Sequence, residues 1–185
     1  MNAAREHREG LLFSAEDDIS VDNLQGVVSL HTSKPVKIAL HTVESAKLVI
    51  DAPLAHVTLN LTVDFDSRTL NGTVAHRMTT LQTTSVAQFD AWSLDVTKAY
   101  DCRDSTEMTF SVASPNPAIG SVLIVELGRD YAAGEEAHVC IDYTTRAEGQ
   151  AFSWLNPEQT AGGTLPYMFT QCEDINCRTV APLQD

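Results

Sequence analysis

The sequence predicts a mostly β fold, an antiparallel or mixed β-sandwich with little helix, and three observations carry that reading. Apolar and polar residues alternate over 56–66 and again over 138–144, the pattern of strands with one buried face. No twelve-residue segment shows an apolar stripe at helical spacing. Pro53, Pro115 with Pro117, and the stretch from Gly128 to Gly134 break up the apolar runs.

In chain order, short strands are expected at 27–30, 36–41 and 46–50. The clearest element follows at 56–66, where Val57, Leu59, Leu61, Val63 and Phe65 alternate with His56, Thr58, Asn60, Thr62, Asp64 and Asp66. Residues 66–73 are rich in turn formers, and the chain can return from Val74 as the second strand of a hairpin. Strands are also expected at 108–112, 122–127 and 138–144. Val122-Leu123-Ile124-Val125 is continuously apolar, which predicts a strand covered on both faces. From Gly149 to Glu173 the pattern weakens into a long tail, the kind of segment that in a compact domain is more often functional than idle. Phe152, Trp154, Tyr167 and Phe169 are expected to pin it to the sheets.

A chain of 185 residues suits one domain at the usual ~100–200 residues each. Residues 1–20 are expected to form a flexible N-terminal extension and 21–185 a single β domain. Twelve Lys and Arg against 25 Asp and Glu give a net charge of −13, with no basic cluster. That balance argues against nucleic acid and anionic membranes as partners. It would attract a cationic ligand, such as the free amino end of a peptide.

No window approaches the ~18 apolar residues of a membrane span, and no signal-peptide core is present. The chain is therefore expected in the cytoplasm, with Cys102, Cys140, Cys172 and Cys177 as free thiols. Cys172 and Cys177 have zinc-like spacing but no second pair nearby. The HExxH zinc motif, Gly-x-Ser-x-Gly, a phosphate loop and the dinucleotide fingerprint are all missing. One stretch, Thr170-Gln171-Cys172-Glu173-Asp174-Ile175-Asn176-Cys177-Arg178, does carry chemistry. Its adjacent carboxylates either set negative charge at a cleft or cap a short helix.

Trp154-Leu155-Asn156-Pro157-Glu158-Gln159-Thr160, then Pro166-Tyr167-Met168-Phe169-Thr170-Gln171-Cys172-Glu173, Cys177-Arg178 and Pro182-Leu183-Gln184-Asp185 form an ordered set. In order and spacing they resemble the end of the N-terminal domain of zinc aminopeptidases of the leukotriene A4 hydrolase kind. Asp64-Phe65, Arg68-Thr69-Leu70 and Gly72-Thr73 resemble the early hairpin of that family, whereas the first fifty residues match poorly.

The resemblance implies a saddle-shaped, mostly antiparallel β domain. It also implies a longer parent enzyme that releases N-terminal residues from peptides and holds its catalytic zinc in a following domain. The partners implied are a peptide N-terminus and the catalytic domain of the same enzyme. The 185-residue chain alone is expected to bind no catalytic zinc, to contain no catalytic residue and to be inactive.

Carried over by resemblance, Glu173 matches the glutamate of Thr-Gln-x-Glu, which holds the substrate α-ammonium. The α-amino group titrates near ~7.7–8.0, so a carboxylate there selects a charged chain end over internal amides. Gln171 matches a substrate-lining position. Asp174 stands where a small residue or proline is usual, and a second acid either disturbs the pocket or strengthens its pull on cations. The resemblance also implies a cis peptide between Glu173 and Asp174. Two rivals remain: a non-catalytic β-sandwich binding module, and a parent that hydrolyses an epoxide as leukotriene A4 hydrolase does. That enzyme carries a glutamine at the position of Glu173.

Overall fold

The computed structural model describes residues 11–13, 19–21, 28–31, 37–42, 52, 54–173 and 175–184. The strand expected at 46–50 lies outside the described residues, as does most of the expected extension over 1–20. Fourteen strands are described: β1 Leu11–Phe13, β2 Ile19–Val21, β3 Val28–His31, β4 Lys37–Thr42, β5 Leu54–Asp64, β6 Thr69–Thr79 and β7 Thr84–Ala91, then β8 Leu94–Asp101, β9 Glu107–Met108, β10 Phe110–Val112, β11 Ser121–Tyr131, β12 Glu136–Thr145, β13 Phe152–Leu155 and β14 Tyr167–Thr170. Among the described residues, helix is confined to two short 3-10 turns, Pro157–Gln159 and Asn176–Thr179.

The strands form three sheets. A seven-stranded sheet runs β2-β4-β5-β6-β12-β8-β9, a four-stranded sheet β1-β3-β14-β13, and a three-stranded sheet β10-β11-β7. Pairing is antiparallel except for β1 with β3 and β2 with β4, which are parallel. The mostly β reading from sequence is therefore borne out.

Alternation becomes burial along β5, where Val57, Leu59, Leu61 and Val63 are buried and Asn60 and Asp64 are exposed. On β12, Val139, Ile141 and Tyr143 face the same way. These side chains join Phe89, Leu123, Val125 and Met168 of the smaller sheets in one apolar core. His76 of β6 stacks on Phe89 of β7, ring centroids 4.4 Å apart, across that core.

The β5–β6 hairpin forms, but its turn is shorter than 66–73. The chain reverses over residues 65–68, with the Asp64 carboxylate accepting the Asp66 and Ser67 N–H groups at 2.9 and 3.1 Å. Those bonds hold Asp64 below the usual carboxylate range. Arg68 takes the left-handed conformation, φ 56°. Gly72 lies inside β6 instead of in the turn, because a Cβ there would overlap the main-chain oxygen of Asn60.

Two further expectations are corrected. The continuous run Val122–Val125 is not covered on both faces: Leu123 and Val125 are buried, while Val122 is exposed. The tail from Gly149 is not a structureless loop, since β13 and β14 pair within it and β14 also pairs with β3. Its aromatic residues are half-buried, with Phe152 and Trp154 against the core.

Candidate functional site

The site begins where β14 ends. Thr170 is buried in the last position of the strand, and the Gln171 N–H extends the pairing by one hydrogen bond, to the Ala151 carbonyl at 2.8 Å. The chain then turns. The Asn176 N–H donates to the Cys172 carbonyl at 2.8 Å, and Asn176 Nδ2 donates to the Glu173 carbonyl at 2.9 Å. The Glu173 N–H reaches Gln171 Oε1 at 3.4 Å. Gln171 and Glu173 are both exposed. Among the described residues the Glu173 carboxylate has no hydrogen bond and no ion pair. Asp174 and the peptide expected to be cis lie outside the described residues.

Of the two readings left open for the acidic pair, helix capping by Glu173 does not occur. The N-cap of Asn176–Thr179 is Ile175, with no side-chain cap.

The expectation of free thiols is overturned here. Cys172 is disulfide-bonded to Cys177, Cα atoms 4.6 Å apart, and Cys102 to Cys140, Cα atoms 5.1 Å apart. Inference from compartment is blind to geometry. The turn closed by Asn176 brings the first pair together, and the β8–β12 ladder, with Tyr100 opposite Cys140, brings the second.

The segment after the turn is fastened to two sheets. Arg178 is buried. Its Nη1 donates to the Ile119 carbonyl at 2.6 Å and lies 3.6 Å from the Asp90 carboxylate. The Trp92 N–H donates to the Arg178 carbonyl at 2.9 Å. Thr179 Oγ1 accepts the Ala151 N–H at 3.1 Å. Leu183 exchanges two main-chain hydrogen bonds with Asp90. The Gln184 amide accepts from the Leu54 N–H at 2.8 Å and donates to the carbonyls of Ala52 and Gln88 at 3.1 and 3.0 Å. The turn bearing Glu173 is therefore held at both ends by ordered chain.

The run Trp154–Thr160 is structural. Trp154 packs edge-on against Phe65, centroids 5.7 Å apart, and Asn156 Oδ1 accepts a hydrogen bond from Arg68 at 2.9 Å. Gln159 Oε1 accepts the Asn156 N–H at 2.9 Å, and Thr160 Oγ1 donates to the carbonyls of Pro157 and Leu165, each at 2.8 Å. Sequence reasoning singled out neither Asp90 nor Gln184 as an individual anchor. An isolated amide or acid beside apolar residues carries no periodic signal.

Three sheets sharing one core, with an exposed carboxylate on a turn between anchored ends, define a mostly β domain. Residues 52–185 match the peptidase M1 N-terminal domain, and the chain belongs to that family. It is 33% identical over 132 residues to the leukotriene A-4 hydrolase of Xenopus laevis, covering 71% of this chain and 22% of that protein. It is 32% identical over 133 residues to leucine aminopeptidase 2 of Aspergillus terreus, covering 70% and 21%. Native yeast LTA4 hydrolase superposes with a TM-score of 0.60 at 27% identity, over 68% of this chain and 19% of that one. The chain thus spans about a fifth of the length of the curated relatives it matches. Among the described residues no helix is long and apolar enough to cross a membrane.

Proposed function

We propose that this domain serves a zinc aminopeptidase that removes residues from peptide N-termini, and that Glu173 is the carboxylate holding the substrate α-ammonium. One observation carries the reading. Glu173 stands exposed, its carboxylate without a partner among the described residues, while Gln171 before it and Arg178 after it are tied to the sheets. Such a carboxylate is free to bind an incoming cation without first breaking an internal ion pair. Gln171 lines the approach, and Asp174 adds negative charge beside it.

The working partners in this reading are a peptide N-terminus and the catalytic domain of the same enzyme, which holds the zinc and supplies the attacking water. Zinc, when bound there, activates that water. Among the described residues no three His, Cys, Asp or Glu side chains converge on one point, and no step of the hydrolysis is assigned to this domain. The 185-residue chain by itself is accordingly expected to hydrolyse no aminoacyl-arylamide. Chelator-sensitive hydrolysis by the chain alone would contradict this.

The test of Glu173 is Glu173→Gln in the whole enzyme. A charge-assisted hydrogen bond is worth about 1.5–3 kcal/mol, so kcat/KM for peptides should fall about 10- to 150-fold. The urea midpoint should not move, because the side chain is exposed. Unchanged kinetics would remove Glu173 from the site.

The relative named leukotriene A-4 hydrolase favours a second reading, in which the same parent opens an epoxide. Turnover of an epoxide fatty acid by the whole enzyme tests it, and no turnover refutes it.

A further inference from the structure

We propose that Cys172 and Cys177 form a reversible redox clasp, opened and closed by the glutathione couple, that sets how firmly the Glu173 carboxylate is held for substrate. This rests on the reading of Glu173 as the substrate anchor. The two cysteines bracket Glu173 at a sequence separation of 5, so the disulfide closes a small ring with the anchor inside it.

Two features make the bond reversible. First, the turn itself is made by the Asn176 N–H on the Cys172 carbonyl and by Asn176 Nδ2 on the Glu173 carbonyl. These hydrogen bonds do not depend on the sulfur bond, so the reduced thiols remain close enough to re-form it without refolding. Second, the pair is unequal in access. Cys177 is buried on the helical turn fastened by Arg178 and Thr179, whereas Cys172 is half-buried. A small thiolate therefore attacks Cys172 Sγ and expels Cys177.

Closure is a two-electron exchange. The thiols of Cys172 and Cys177 lose two protons and two electrons, and a sulfur–sulfur bond forms between them. The sulfur–sulfur bond of glutathione disulfide breaks, yielding two molecules of glutathione thiol. Opening is the reverse, with two glutathione thiols as reductant.

The functional consequence follows from the fixed ends. Gln171 is tied to Ala151 and Arg178 to Ile119, so mobility gained on reduction is confined to the Glu173 turn. A looser carboxylate must be immobilised each time a substrate binds, which raises KM and leaves kcat unchanged.

The test uses the whole enzyme containing this domain, equilibrated in glutathione buffers from fully reduced to fully oxidised. Thiols are trapped with N-ethylmaleimide and the 172–177 pair is read by peptide mass spectrometry, while aminoacyl-arylamide kinetics are run on the same samples. KM should rise about 2- to 12-fold as the pair opens, the range for freeing one side chain. The rise should reverse on reoxidation. Cys172→Ala should hold the higher KM in every buffer. The wild-type titration stands alone if that variant folds poorly.

The proposal is overturned if the pair opens and KM does not follow, if Cys172→Ala keeps the same redox dependence, or if the pair stays entirely closed or entirely open across the series. Failure of the anchor reading is separate. It appears as Glu173→Gln kinetics equal to wild type, whatever the thiol state.

Discussion

Acidification from pH 7.5 to 5.0 should remove about 2 kcal/mol of stability through His76 alone. The ring is fully buried on β6, stacked on Phe89, and neither nitrogen makes a hydrogen bond of good geometry. Burial pushes its pKa down from 6.5 to about 3. The main chain at Pro182 favours the charged form but is outweighed. Above pH 6.5 the imidazole is neutral in both the folded and unfolded chain, and stability is at its full value. Below that, the unfolded chain takes up a proton that the folded chain refuses, and stability falls by about 1.4 kcal/mol per pH unit until the folded pKa is reached. The 1.5 units between 6.5 and pH 5.0 give about 2 kcal/mol.

The assay is urea unfolding of wild type and His76→Leu at both pH values. Leucine fills a similar apolar space, does not titrate, and leaves no buried nitrogen unsatisfied. The variant should lose about 2 kcal/mol less than wild type on acidification, and at pH 7.5 it should be at least as stable. Equal losses in the two proteins would show that His76 is not held neutral by the fold.

Two further outcomes follow from packing. Arg178→Met should cost about 3–5 kcal/mol, because it strips the Asp90 carboxylate and the Ile119 carbonyl of a buried cation. Denaturant unfolding reads the cost, and a loss below about 1 kcal/mol, the level of a surface pair, would mean the cluster is not a clamp. Gly72→Ala forces a methyl against the main chain of β5 and should cost about 1–3 kcal/mol. An unchanged thermal midpoint would mean that the two strands can separate there at no cost.

The strands legible in the sequence are those whose buried face is filled by large aliphatic residues. On β5, Val57, Leu59, Leu61 and Val63 write the burial pattern directly. β7 and β8 escape the same test. β7 buries Ala87 and Ala91 beside Phe89, and β8 buries Ala99, and a small side chain gives little hydrophobic contrast with its polar neighbours. A continuous apolar run such as Val122–Val125 reports hydrophobicity without reporting how many faces are covered. Gly72 reads as a turn residue because glycine serves turns and close backbone approaches alike.

At the site, the sequence pattern leaves cap and cleft open for the acidic pair Glu173 and Asp174, and the Ile175 N-cap removes capping by Glu173. The disulfides were hidden for a different reason. The Cys102–Cys140 pairing depends on which strands lie side by side, which no local window of sequence contains, whereas Cys172 and Cys177 share one window, where the expected compartment hides a pairing that the turn at Asn176 makes.

Gln184 reaches back to Leu54 and Ala52, sequence separations of 130 and 132, and sideways to Gln88. Its seat is assembled from two sheets that must already stand before there is anything to hold. Ordering so much intervening chain is slow compared with closing a local turn. The segment fastened by Arg178 and Gln184 is thus seated by long-range contacts, and the Glu173 turn, moored to it, owes its place to sheets built from residues far away in sequence.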